Sequence, residues 1–525
     1  MQEENRVLVF SQEAREELLA GVNLLADAVR TTMGPSGQNV IIESAEGPPV
    51  LTKDGVTVAR SINLKDSYKN LGVQLVKEAA SRTAETAGDG TTTATVLSQA
   101  LFQEGVKLLT SGHNATKVRK GMLAAKDKIL QNLEDMARPV NGDEDIINVG
   151  TISANGDREV GELLCKAMNA VGVDGVITVE EAKGFLTSLD IVDGLKLNRG
   201  FVSPYFVTNG DRLVCELEKP AILLANQTIS SINDLLPILE DCHRESRSLV
   251  VIADEIEGEV LKALVLNSLK GLLKICVIKS PEFGNTRVDA MSDLGVIFNT
   301  KVYSSAEDLP TKIEELGFTK RVIISRYESI FVTQDVNKPE IQKRVEAVKT
   351  MVNSPDVTSD EIAALRRRLA NLAGAVAVLR VGGSTETELK ERKDRVEDAL
   401  HATQAAVEEG ILPGGGLALL RAADKVELDK SWNTDFYAGF NMVLEAVRAP
   451  VWNICTNCGE SPDLIIHKIL EQKDFIGYDA REKRVGDLLK LGIIDPKKVV
   501  RCALENSISA ANSLLSVGCS IVYDK

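Results

Sequence analysis

Aromatic side chains make up only 4% of this 525-residue chain, and tryptophan occurs twice. Its cores therefore have to be built from Leu, Ile, Val and Ala, which an apolar content of 44% supplies. That content excludes a disordered or collagen-like chain. Cysteine is also scarce: eight irregularly placed residues suit reduced thiols better than a disulfide framework. Cys455 and Cys458 form C-x-x-C, but no second pair stands at zinc-site spacing, so buried small hydrophobes are the plainer reading. The four histidines, His113, His243, His401 and His467, are scattered and suggest no chemistry. No stretch approaches 18 uninterrupted apolar residues, and the start MQEENRVLVF lacks a basic region followed by an apolar one. The expectation is a soluble, cytoplasmic protein. Positive charge is in deficit as well, with Lys+Arg 61 against Asp+Glu 76 and a net charge of −15. Without a local basic cluster, neither nucleic acid nor an anionic membrane is an expected partner.

What is present falls into blocks. A length of 525 residues argues for about three domains. Leu18, Val22, Leu25, Ala26 and Val29 recur at helical spacing from Ser11 to Met33, and Gly34-Pro35 stops that helix. The first 138 residues read as mostly helical. Between about 190 and 376, β-branched runs at Leu249 to Ile252, Ile275 to Ile278 and Val322 to Ile324 alternate with helical segments, as in an α/β unit with buried strands. Thr358 and Glu361 make a capping box after it. An amphipathic helix is predicted from about Glu386 to Glu409, with Leu389, Val396, Leu400 and Val407 as its stripe and Gly410 as its stop. The remainder is again helical. Helical ends around an α/β middle suggest one discontinuous domain carrying an insertion.

The sharpest chemical signal is Ala87-Gly88-Asp89-Gly90-Thr91-Thr92-Thr93, which leads into a helix. Glycine lets backbone N–H groups turn inward, the helix N-terminus adds positive charge, threonine hydroxyls donate, and aspartate holds Mg²⁺ against phosphates. Taken alone, the same string is also a capped helix start. No glycine is followed by lysine, so a P-loop is excluded. Thr32 with Gly34-Pro35, and Thr52-Lys53-Asp54-Gly55, are ordinary turns singly; together they offer donors, a cation and a second carboxylate to one anion.

The strings GVNLLADAVRTTMGPSGQNV, LTKDGVTVAR, AGDGTTTATVL, VGTISAN, VEDALHATQAAVEEGILPGGG and GIIDP, in this order, closely resemble the bacterial GroEL-type chaperonins, over residues 7 to 524. The resemblance implies a multidomain, mainly α chaperonin fold with an α/β apical domain. Its equatorial ATP-binding domain would be 1–138 and 410–525, its intermediate hinge domain 139–192 and 377–409, and its apical substrate- and lid-binding domain 193–376. It implies an ATPase with Mg²⁺ on Asp89 and K⁺ near Thr32 and Lys53. Nucleotide would meet Thr32, Met33, Gly34 and Pro35, then Lys53, then Asp89, Gly90, Thr91, Thr92 and Thr93, with Gly415, Asp479, Ala480, Arg481 and Asp495 around the adenosine. Asp398, with Asp54, would serve hydrolysis by orienting the attacking water. Phe201, Tyr205, Phe206, Leu236, Leu239, Leu261, Val265 and Leu266 fall on positions that bind substrate, and Gly194, Gly374, Pro139 and Gly410 on hinges. Partners implied are unfolded client proteins, a GroES-like lid and further copies of the chain in seven-membered rings.

The chain departs from the pattern in places. Asp479 and Arg481 stand where the family has Asn and Ala, Ser36 replaces a common Lys, and Trp452 and Ser461 replace an Arg and Glu that pair between rings. The Gly-Gly-Met tail is absent. These departures motivate an alternative, a holdase or assembly chaperone without a productive lid-coupled ATP cycle.

Overall fold

The computed structural model describes residues 6–43, 49–172, 176–182, 184–210, 212–282, 284–333, 338–352, 365, 368–369, 371–372, 374–429, 432–472 and 475–523. The capping box at Thr358 and Glu361 lies outside the described residues. The chain forms two compact units, one of residues 1–166, 179–188 and 380–525, the other of 167–178 and 189–379.

The first unit is a helical assembly. Its long helices are Ser11–Arg30, Ser67–Ala87, Thr91–Thr110, Ala115–Met136, Thr434–Ala446 and Lys497–Leu515. Leu18, Val22, Leu25 and Val29 on the first are buried against Leu97, Leu101 and Phe102 on the third and Leu504, Ile508 and Leu514 on the last. The predicted run to Met33 ends as a helix at Arg30, because Gly34 needs a left-handed φ of 79°. Asp66 starts the second helix by accepting from the N–H groups of Tyr68 and Lys69, and Asn114 starts the fourth through Lys117. Strands Arg6–Phe10 and Cys519–Tyr523 pair antiparallel, Arg6 opposite Tyr523, so the two ends of the chain join one body.

Helix Glu386–Glu409 has the predicted bounds. Thr385 accepts from the Glu388 N–H, Glu388 accepts back from the Ser384 N–H, and Gly410 ends the helix at φ 88°. Its buried face differs from the expected stripe. Val396 and Leu400 are buried, Leu389 and Val407 only partly, and Ala399, Ala402, Thr403, Ala405 and Ala406 supply the rest. Such short side chains let the helix approach Asp143–Ser153 and Lys497–Leu515 closely.

The second unit holds two sheets. Val302–Tyr303, Ala221–Ile229, Leu249–Ile256 and Ile275–Lys279 lie side by side in parallel, with Gly317–Phe318 antiparallel to Ala221–Ile229. Residues 221–225, 249–253 and 275–278 are buried on both faces, which explains their unbroken apolar runs. The third expected strand, Arg321–Ile324, joins a different, antiparallel sheet with Ser329–Val332, Ser188–Leu197 and Cys215–Glu218. Val322 and Ile324 are buried there while Ile323 is only partly so, the alternation of a one-sided strand. Helices Ile232–Arg244 and Gly258–Leu269 cover the parallel sheet.

Candidate functional site

Three glycine turns of the first unit converge on one cavity of about 600 Å³. The first joins helix Ser67–Ala87 to helix Thr91–Thr110. Gly88 and Gly90 have φ of 73° and 88°, a conformation side chains disfavour. Space excludes them too: a Cβ on Gly88 would sit 2.1 Å from the His401 Cβ, and one on Gly90 2.7 Å from a Val499 methyl. The N-cap is Gly90, and no side chain caps the helix. The capped-start reading of this loop therefore fails, and the first amides of the helix are left for a ligand in the cavity they line.

The second turn, Gly414-Gly415-Gly416, has φ of 63° and 76° at its last two residues, and Gly416 likewise opens helix Leu417–Asp424 without a side-chain cap. A Cβ on Gly414 would stand 3.0 Å from the Asp495 carboxylate. The third, at Gly34, packs on Ile454. Every residue expected to meet nucleotide or serve hydrolysis lines this cavity, from Thr32 to Asp495.

Each carboxylate has a distinct setting. Asp54 caps helix Gly55–Ser61, Oδ1 accepting from the Val56 N–H at 3.0 Å and Oδ2 from the Thr57 N–H at 2.8 Å and hydroxyl at 2.6 Å. Asp89 accepts from the Gly90 N–H at 2.5 Å and from the Ser153 hydroxyl at 3.3 Å. Burial, and then the charge of Asp54, raise its pKa against those hydrogen bonds. Asp398 is pushed well above the carboxylate range by burial first, then by Asp89, Asp54, Asp394 and Glu397. It is half-buried, open to the cavity and shielded by protein elsewhere. Thr32 uses its hydroxyl to close its own helix, donating to the Val29 carbonyl at 2.8 Å, and keeps its oxygen lone pairs for other partners.

Burial and Asp89 raise Asp495 to about 7 from an ordinary 3.8, opposed by a hydrogen bond from the Gly416 N–H. The folded chain thus keeps a proton that the unfolded chain loses between about pH 4 and 7. Stability falls as pH rises through that window and stays lowered above it. Asp495→Asn should raise the melting temperature of the nucleotide-free protein at pH 8, with the gain vanishing near pH 4. Equal gains at both pH values would refute the assignment.

Among the described residues no group of three or more His, Cys, Asp or Glu side chains is arranged to hold a metal. Carboxylates crowded enough to raise one another's pKa values nevertheless call for a cation, and a phosphate beside them more so. Mg²⁺ fits this donor set, since it is commonly held by one or two carboxylates with phosphate oxygens and water completing the shell.

Sequence reasoning assigned no role to several lining residues. Thr151, Ser153 and Asn155 come from the quoted VGTISAN string, Asn148 stands just before it, and Glu391, Asp394 and Arg395 share a helix face with Asp398. The spacing of Arg395, Asp394 and Glu391 from Asp398, three, four and seven residues, was the available signal on that helix. Of the apolar residues, Tyr205, Leu236 and Leu266 are exposed at 62%, 44% and 52%, and Phe201, Leu261 and Val265 partly so. Phe206 and Leu239, at 1% and 6%, belong to the core beneath and are not on the exposed face.

A family model described as the TCP-1/cpn60 chaperonin family matches residues 25–525. The chain belongs to that family. It is a divergent chaperonin of the GroEL type. Its fold is similar to that of the chaperonin gp146 from bacteriophage EL 2 (Pseudomonas aeruginosa), crystallised in the presence of ATP-BeFx. One crystal form matches with a TM-score of 0.68 at 24% identity, covering 99% of this chain and 100% of that one. A second form gives 0.63 at 24%, covering 99% of each. No described helix is long and apolar enough to cross a membrane.

Proposed function

We propose that this chaperonin is an ATP-driven folding machine: unfolded chains bind an apolar face of the second unit, ATP binds the carboxylate-lined cavity of the first, and hydrolysis resets the cycle. The observation that carries the reading is the uncapped Gly88-Asp89-Gly90 entry to helix Thr91–Thr110, opening on a cavity that also presents Asp54 and Asp398. The ATP-BeFx present with the phage chaperonin supports it.

In this reading the amides and hydroxyls from Gly90 to Thr93 receive the phosphates. Asp89 holds Mg²⁺, which would supply charge neutralisation on the phosphates, and the backbone near Thr32 and Lys53 seats K⁺. Thr32, Met33, Gly34 and Pro35 close one side, while Gly415 and Asp495 border the ribose and Asp479, Ala480 and Arg481 the base. Asp398 accepts a hydrogen bond from the attacking water and turns it toward the phosphate, with Asp54 fixed by its helix cap as the second carboxylate. Phosphoryl transfer asks for positioning and charge neutralisation, so no cysteine or histidine nucleophile is needed.

The domain reading takes 1–138 and 410–525 as equatorial, 139–192 and 377–409 as intermediate, the latter drawing residues from both compact units, and 193–376 as apical. Seven-membered rings and a GroES-like lid are the assembly proposed. Tyr205, Leu236 and Leu266, with Phe201, Leu261 and Val265 beside them, are the proposed grip on unfolded clients; single exposed apolar residues are common, but several close together on two helices are not.

The test is refolding of a denatured, aggregation-prone enzyme with ATP and a GroES-type lid, with rings counted by electron microscopy. Recovery of client activity that depends on ATP is expected. Suppressed aggregation with no ATP-dependent recovery would point to a holdase instead. Leu236→Ser combined with Leu266→Ser should weaken capture of the denatured client by about tenfold or more, from the apolar area lost, while ATP turnover without client persists. Undiminished capture would remove this face from the proposal.

A further inference from the structure

The two unusual residues near the base, Asp479 and Arg481, act together in the structure. Asp479 is 5% exposed, and its Oδ1 accepts from the backbone N–H groups of Arg481 and Glu482, each at 3.2 Å. Its Oδ2 stands 3.4 Å from the Arg484 Nε. Asp479 thus spends its oxygens on its own turn, which fixes the direction of Arg481. The Arg481 guanidinium reaches across the rim of the cavity and donates from Nη2 to the Asn155 carbonyl at 3.2 Å.

The receiving side is shaped for it. Asn155 and Gly156 have successive left-handed φ of 57° and 90°. A Cβ on Gly156 would fall 1.8 Å from the Arg481 Nη2 and 2.6 Å from its Cζ, so the planar guanidinium lies directly on bare glycine backbone. Asn155 follows helix Asp143–Ser153, whose last residue hydrogen-bonds Asp89. Arg481 therefore ties the base-side turn to the segment that touches the phosphate-side carboxylate, and all of these residues line the one cavity.

We propose that Arg481 is a latch across the mouth of the nucleotide cavity, seated on Gly156 and the Asn155 carbonyl, and that its release sets how fast nucleotide leaves. The proposal rests on the nucleotide reading above. A latch acts by its geometry: the flat fork of arginine fits a glycine backbone and a carbonyl together, whereas the ammonium of lysine is a point charge. An arginine that merely attracted phosphate would be replaced well by lysine.

The experiment loads the full-length protein with fluorescent mant-ADP and follows its release into excess unlabelled ADP. Arg481→Ala and Arg481→Lys should both speed release by about fivefold, the scale of one exposed charge-assisted hydrogen bond. Gly156→Ala, which keeps the arginine and removes its seat, should do the same, and it carries the test if Arg481→Ala fails to fold. Unchanged release in the folded variants overturns the latch, as does wild-type release in Arg481→Lys, which would make the effect one of charge alone. Failure of the wild-type protein to bind mant-ADP overturns the nucleotide reading itself, and the latch with it.

Discussion

Replacing Asp398 with alanine should leave nucleotide binding intact and lower ATP turnover by about 10²- to 10⁴-fold, the range for loss of a positioned proton acceptor. The expectation rests on where the carboxyl stands. It lines the cavity with Asp54 and Asp89, yet sits on a separate helix, Glu386–Glu409, which is anchored by buried Ala402 and Ala405 one and two turns further along the same face. Its charge is also conditional. Burial, Asp89 and Asp54 together favour the protonated acid, which is a poor acceptor for the hydrogens of water. Turnover should therefore fall on acidification at a pH above the usual carboxylate range, and Asp398→Asn, similar in shape but a weaker acceptor, should resemble alanine. Measuring bound nucleotide and phosphate release on the same variants checks both halves. Turnover near the wild-type rate would remove Asp398 from the hydrolytic role.

The second large effect is on stability. Helices Ser11–Arg30 and Ser67–Ala87 cross at reciprocal glycines. A Cβ on Gly21 would lie 1.9 Å from the Lys69 carbonyl oxygen, and one on Gly72 would lie 2.2 Å from that of Leu18. Both obstacles are backbone atoms in the middle or first turn of helices, so no rotamer change relieves them. Gly72→Ala has to push the helices apart, which opens the packing of Leu18, Val22 and Val73 below. A loss of about 3 kcal/mol is expected, the upper part of the overpacking range. Gly258→Ala is the control: its new methyl would meet nothing within 4 Å. Thermal or urea unfolding of the two variants should separate them clearly, and equal midpoints would contradict the helix crossing.

The ends of helix Glu386–Glu409 were legible because capping is local. Ser384, Thr385 and Glu388 interact with one another at one end, and the Gly410 N–H bonds to the Ala406 carbonyl at the other, so the sequence near each end contains the whole interaction. The buried face of that helix was less so. A stripe counted in large apolar residues overlooks that Ala399, Ala402 and Ala406 bury best where another helix comes close. Strand identity was similarly partial: Leu249 to Ile252 and Val322 to Ile324 both read as buried strands, but their partners are distant in sequence, and one joined a parallel sheet while the other joined an antiparallel one.

The candidate site followed the same division. The sequence by itself determined the glycines whose left-handed turns bare two helix N-termini, the supply of carboxylates, and the motifs that place the chain among chaperonins, since all of these depend on residue type and short spacing. Only the tertiary structure decided that segments near residues 33, 54, 89, 153, 398, 415, 480 and 495 share one cavity, because convergence depends on the packing of helices far apart in the chain. It alone raised Asp398 and Asp495, whose pKa values reflect burial and neighbours. It turned Phe206 and Leu239 inward while leaving Leu236 and Leu266 outside, a choice made by the sheet beneath them. And it gave Arg481 a seat on Gly156, more than 300 positions away, which no local pattern could specify.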